Sequence, residues 1–186
     1  GSCGACWRRD DGTRRRCSSE GKGGLVQRLL GEEHGITYLV LYRGSGIGGV
    51  VLCKAKRLRY ANCDRADLEA QLQAADAAGS RTKLVSTDGV FSMDGYIAKV
   101  DQIVALKKKY SALLMVDDSH ATGFVGPTGR GSAELHGVMS EVDIFTSTLG
   151  KALGGGSGGF PTGRQPIIDQ LRQRAPPYLF STTWPR

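Results

Sequence analysis

From residue 64 to residue 175 the sequence alternates between short, continuously apolar runs and longer amphipathic ones, and few architectures accept that alternation. The segments "KLVST" (83–87), "ALLMVD" (112–117) and "VDIFTS" (142–147) lack a regular polar face, so each predicts a strand buried on both sides. Between and around them lie helical patterns. "LEAQLQAADAA" (68–78) is preceded by two candidate caps, Asp64 and Asp67, and followed by Gly79 as a stop. "AKVDQIVALKKKY" (98–110) puts Val100, Ile103, Val104 and Leu106 on one face, and "RQPIIDQLRQRA" (164–175) predicts a further helix. Strands apolar on both faces need cover on both faces. The expectation is therefore an α/β fold: a mostly parallel sheet flanked by helices in three α/β/α layers. The 186 residues are enough for one such domain, and no internal repeat interrupts it.

Ligands of parallel sheets sit at the carboxyl ends of the strands, so the residues that follow each strand carry the chemical signal. They are Asp88-Gly89-Val90-Phe91-Ser92 after the first, Asp117-Asp118-Ser119-His120 after the second, and Thr148-Leu149-Gly150-Lys151 after the third. A run of small residues, Gly154 to Gly159, comes next, and glycine at that density weakens a strand unless something must approach closely. A lysine at a strand end forms a Schiff base when partial desolvation lowers the pKa of its ammonium. Pyridoxal phosphate requires such a lysine and an Asp partner for its pyridinium nitrogen. On this reading Lys151 carries the cofactor, and Asp117 keeps its ring nitrogen protonated. His120 lies three residues on and donates to the phenolic oxygen, while the Thr148 hydroxyl serves the phosphate. Each piece alone has a plainer explanation: Gly150-Lys151 as a surface turn, Asp117 as a cap, His120 as a structural histidine. Their order on one rim is what favours a cofactor site.

Other patterns compete. "GSGIGG" (44–49) follows the apolar run Ile36 to Leu41, and Asp64 lies twenty residues beyond Gly44, which is the arrangement of a dinucleotide-binding fingerprint. An NAD-binding oxidoreductase domain is thus a remote alternative. The net charge is +7, and residues 1–30 hold seven Arg/Lys against Asp10, Asp11 and Glu20. Such an arm attracts anions, but it carries almost no apolar periodicity, and residues 1–24 are read as an atypical, disordered basic leader. Lys54, Lys56, Arg57 and Arg59 face an anionic ligand or, more plainly, make a solvated strand face. The five cysteines (3, 6, 17, 53, 63) form no even framework, which suits a reduced intracellular chain. No Walker A motif, metal-ligand spacing or membrane-length apolar run is present, and neither nucleic acid nor membrane is expected as a partner.

At "TDGVFSMDG", "MVDDSHATGFVGPTGRGS" and "STLGKALGGGSGG" the chain strongly resembles the α-oxoamine synthases, fold-type-I pyridoxal phosphate enzymes that condense an amino acid with an acyl-CoA. "LRQRAPPYLFS" and the lysine segment are most similar to the glycine C-acetyltransferase branch. The resemblance implies that glycine and acetyl-CoA give 2-amino-3-oxobutyrate and CoA, a step of threonine catabolism, in the cytoplasm or in the mitochondrion of a eukaryote. It implies that Lys151 holds pyridoxal 5'-phosphate and moves the Cα proton, with Asp117 on the ring nitrogen and His120 and Ser92 on the phenolic oxygen side. Thr148 would bind the phosphate. Ser18 and Ser19 fall at further phosphate-contact positions. In this family the active site is shared across a homodimer, so Ser181 and Thr182 would reach the neighbouring subunit's phosphate.

Departures accompany the likeness. "LVLYRGSGIGGV" (39–50) falls where the family reads close to "DALNHASIIDGV", so the glycine fingerprint lies in an unrelated loop and Arg43 replaces a ring-stacking histidine. An arginine stacks on a π face, but its charge repels a protonated pyridinium. Residues 25–186 correspond to part of the large domain. The small C-terminal domain, which supplies the arginine for the substrate carboxylate, has no counterpart in the sequence. An inactive remnant of the enzyme is the alternative reading.

Overall fold

The computed structural model describes residues 36–41 and 56–174. The elements run β1 (Ile36–Leu41), β2 (Lys56–Tyr60), α1 (Arg65–Ala77), β3 (Thr82–Asp88), β4 (Val90–Phe91), β5 (Tyr96–Ile97) and α2 (Val100–Lys109), followed by β6 (Leu113–Asp117), α3 (Ser132–Leu135), a 3₁₀ turn (Met139–Glu141), β7 (Ile144–Thr148), β8 (Gly159–Gly163) and α4 (Gln165–Arg174). One six-stranded sheet has the order β2-β1-β3-β6-β7-β8, and β4 and β5 form a separate small hairpin. Every neighbouring pair in the large sheet is parallel except β7 and β8. The fold is the expected α/β type with a mostly parallel sheet.

The local signals explain the helices. Asp64, of the two candidate caps, is the one used: its Oδ1 accepts the Asp67 N–H at 3.0 Å. Asp67 instead accepts the Ala61 N–H at 2.7 Å, and Gly79, at φ +70°, follows the helix end. Leu68, Leu72 and Ala75 recur at helical spacing and are inaccessible. Burying each leucine contributes about 2 kcal/mol against about 1 kcal/mol for the cap, so the apolar face holds α1 in place and the cap fixes where it starts. Lys107, Lys108 and Lys109 occupy the last turn of α2, where the carbonyl end of the helix favours cations.

The two central strands are buried on both faces. Val85, Leu114 and Val116 join Leu68, Leu72, Val100, Val104 and Leu106 in the core beneath α1 and α2. Leu84, Met115 and Ile144 are equally inaccessible on the opposite face. Of the basic cluster, Lys54 lies outside the described residues, while Lys56, Arg57 and Arg59 belong to β2 at the margin of the described sheet and are exposed, as the plainer reading expects. β8 was not expected. "GFPTG" pairs antiparallel with β7, and a Cβ on Gly159 would come within 2.8 Å of the Ser147 carbonyl oxygen. At that glycine the close approach is made by the neighbouring strand. No helix among the described residues is long and apolar enough to cross a membrane.

Candidate functional site

The parallel register sets the carboxyl ends of β3, β6 and β7 side by side. Asp88 is the partner of Asp117, and Asp117 is the partner of Thr146, so the three residues share one face of the sheet rim. The loops that leave these ends are tied to each other. The Gly89 N–H donates to the Asp117 carbonyl at 2.9 Å, and the Asp118 N–H donates to the Thr146 carbonyl at 2.8 Å. The Ala152 N–H reaches back to the Ser119 carbonyl at 3.3 Å, which joins the lysine turn to the loop after β6.

Asp117 and Asp118 are adjacent in the chain and separated by the pleat. Asp117 is half-buried on the rim, and its Oδ1 accepts both the Ser119 hydroxyl, at 2.6 Å, and the Ser119 N–H, at 3.2 Å. Asp118 is 2% exposed and points inward. Its Oδ1 accepts the Ser132 hydroxyl at 2.6 Å, and its Oδ2 accepts the Ser132 N–H at 3.0 Å. A Cβ on Gly89 or on Gly131 (φ +108°) would overlap this carboxylate, so both positions need glycine. Burial pushes the Asp118 carboxyl up from its ordinary value, against the two Ser132 hydrogen bonds that act to lower it.

His120 is half-buried in the turn that follows. That turn is braced by the Ala121 and Thr122 N–H groups, both 2.9 Å from the Asp118 carbonyl, and by the Ser147 hydroxyl at 2.9 Å from Thr122 Oγ1. Thr148 ends β7 with its Oγ1 buried and without a partner among the described residues, and Thr146 Oγ1 is in the same condition. A buried hydroxyl left unpaired costs about 1–3 kcal/mol, and an acceptor such as a phosphate oxygen removes that cost. Lys151 is exposed in the turn after β7, and its amine makes no hydrogen bond or ion pair with any described residue. Ser92 is exposed in the β4–β5 turn, which leaves the rim directly after Gly89.

Asp117, His120, Thr148 and Lys151 are therefore gathered on the ends of two adjacent strands, β6 and β7, with Ser92 on the hairpin that follows β3. Ser18, Ser19, Arg43, Ser181 and Thr182 lie outside the described residues, as does the "GSGIGG" loop. Asp64, the acid which the dinucleotide pattern would use, serves as the cap of α1. Sequence reasoning missed Ser119 and the inward role of Asp118. The available signals were the Asp-x-Ser spacing of a side-chain-closed turn and the alternation of adjacent residues at a strand end. An amine, a rim carboxylate, a histidine and a buried unpaired hydroxyl together suit a phosphorylated pyridine aldehyde.

Known proteins resemble this chain over most of its length. The family model described as aminotransferase class I and II matches residues 17–186. The 2-amino-3-ketobutyrate coenzyme A ligase of Salmonella typhimurium is 57% identical over 164 residues, which cover 88% of this chain and 41% of that protein. The mitochondrial 2-amino-3-ketobutyrate coenzyme A ligase of Homo sapiens is 52% identical over 166 residues, 89% of this chain and 39% of that protein. A solved structure of SPT with a PLP internal aldimine superposes with a TM-score of 0.76 at 30% identity, covering 90% of this chain and 42% of that one. The chain thus spans about two fifths of the length of the relatives it matches.

Proposed function

Because the chain belongs to the aminotransferase class I and II family, we propose that its strand-end cluster is the pyridoxal 5'-phosphate site of a glycine C-acetyltransferase, and that it condenses glycine with acetyl-CoA to 2-amino-3-oxobutyrate and CoA. The observation that carries this reading is the tie between the Asp117 loop and the Lys151 turn, made by the Ala152 N–H on the Ser119 carbonyl. It supports placing a carboxylate and an amine on two sides of one ligand.

Pyridoxal phosphate supplies an electron sink for the charge left when a bond at an amino acid Cα breaks. The protein's own groups do the rest. The Asp117 carboxylate meets the ring nitrogen and favours its protonated form by opposite charge. His120 and Ser92 serve the phenolic oxygen, and the unpaired Thr148 hydroxyl donates to the phosphate. The Lys151 amine would hold the aldehyde group, and as a base it would move a proton at the substrate Cα. Ser18 and Ser19 add phosphate contacts. A homodimer would bring Ser181 and Thr182 to the neighbouring subunit's phosphate. Such an enzyme works in threonine breakdown, in the cytoplasm or, in a eukaryote, in the mitochondrion.

The test is direct. The folded chain is incubated with pyridoxal phosphate, reduced with borohydride and mapped by peptide mass. An adduct on Lys151, absent from Lys151→Ala, is the expected outcome, and its absence overturns the cofactor assignment. Acetyl-CoA-dependent release of CoA with glycine is the second readout and reports on acyl transfer itself. An adduct without CoA release would instead support the remnant reading.

A further inference from the structure

The geometry points to Ser119 as a positioning residue that sets the Asp117 carboxylate against the cofactor ring, an inference that rests on the pyridoxal phosphate reading above. Ser119 is 1% exposed, so its hydroxyl bonds within the protein rather than to water. Its hydroxyl at 2.6 Å and its N–H at 3.2 Å converge on the same oxygen, Oδ1 of Asp117. A carboxylate otherwise rotates broadly about its last side-chain bond, and two donors on one oxygen remove that freedom. The short O–H···O⁻ bond is charge-assisted, and donors on a carboxylate stabilise its ionised form, the form that keeps a ring nitrogen protonated. Ser119 also receives the Ala152 N–H on its carbonyl, so one residue fixes the carboxylate and anchors the lysine turn.

The hydroxyl is not needed to make the turn. Backbone bonds from Asp118 to Thr146 and from Ala121 and Thr122 to Asp118 already close it. Thr146, the register partner of Asp117, does not substitute for Ser119, because its buried hydroxyl meets no partner among the described residues. The Ser119 side chain therefore acts on Asp117 and, through it, on the ring.

The experiment compares the wild-type chain, Ser119→Ala and Ser119→Cys by titration with pyridoxal phosphate, by the absorption spectrum at saturation and by the melting temperature without cofactor. Ser119→Ala is expected to raise the Kd for pyridoxal phosphate about tenfold, the scale of one weakened charge-assisted hydrogen bond. The absorption bands are expected to shift toward those of an unprotonated ring, with the cofactor-free melting temperature unchanged. Ser119→Cys, nearly isosteric with a weaker donor, is expected to fall between, and it decides the matter if the alanine variant does not fold. Saturated spectra identical to the wild type overturn the inference whatever the Kd, since a packing role changes affinity without changing ring protonation. A wild-type chain that binds no pyridoxal phosphate overturns the cofactor reading and this inference together, whereas binding without the spectral shift overturns the inference alone.

Discussion

Asp117 and Asp118 show how one peptide step divides a rim carboxylate, proposed to meet the cofactor, from a buried structural one. The first lies at the rim with its carboxylate held by Ser119, and the second closes on Ser132 beneath Gly89 and Gly131. Burial raises the Asp118 pKa, so the folded state prefers the neutral acid. The stability that this group contributes is then fully present below the ordinary carboxylate value of 3.8 and is lost as pH rises through the raised one. Asp118→Asn keeps both contacts, with its amide oxygen accepting the Ser132 N–H and its amide nitrogen donating to the Ser132 hydroxyl. Relative to the wild type, its unfolding free energy in urea is expected to increase as pH rises above about 4 and to level off once pH exceeds the raised value. Asp118→Ala strands two buried donors and is expected to cost about 3 kcal/mol. The sequence made Asp117, His120, Thr148 and Lys151 legible because each follows an apolar run whose end is easily read. The division between two neighbouring aspartates was not legible, because it depends on where the strand stops and on a serine fourteen residues from Asp118.

Elements are joined at the far end of the sheet by a second polar knot. Asp143, 1% exposed ahead of β7, pairs with Lys107 at the end of α2, accepts the Leu114 N–H of β6 at 2.8 Å and lies 3.3 Å from Arg164 ahead of α4. Removing one partner from a buried pair strands a charge, so Lys107→Met is expected to destabilise the fold by about 3 kcal/mol in urea unfolding. Arg164→Ala removes an exposed guanidinium and is expected to cost less than about 1 kcal/mol. Neither variant should alter cofactor affinity, since both lie at the opposite strand ends from Lys151. The elements themselves were largely readable. β3, β6 and β7 are apolar on both faces because both faces are buried, and Asp64 announced the start of α1. β8 was hidden because glycine and proline carry no strand signal; its conformation comes from its pairing with β7. The Lys107–Asp143 pair was hidden as well, since a lysine-rich helix end reads as solvated surface and its partner lies 36 residues away.

At the scale of the whole molecule, the two ends of the described sheet differ, with the proposed cofactor site at the carboxyl ends of the strands and the Lys107–Asp143 pair at the amino ends. The sheet's lateral margins also differ from each other. Among the described residues β2 forms one margin, with Lys56, Arg57 and Arg59 exposed, and β8 forms the other, with Pro161 at its centre. An open sheet offers unpaired backbone groups on which another copy can template, and both margins carry deterrents: repelling like charges on β2 and a residue without an N–H on β8. The basic cluster on β2 is thus expected to discourage edge-to-edge pairing of copies. Replacing Arg57 and Arg59 with threonine is expected to raise light scattering during heating while leaving the midpoint of unfolding within about 2 °C, since exposed substitutions change stability little. Scattering equal to the wild type would show that the charge on this margin has no part in keeping copies of the chain apart.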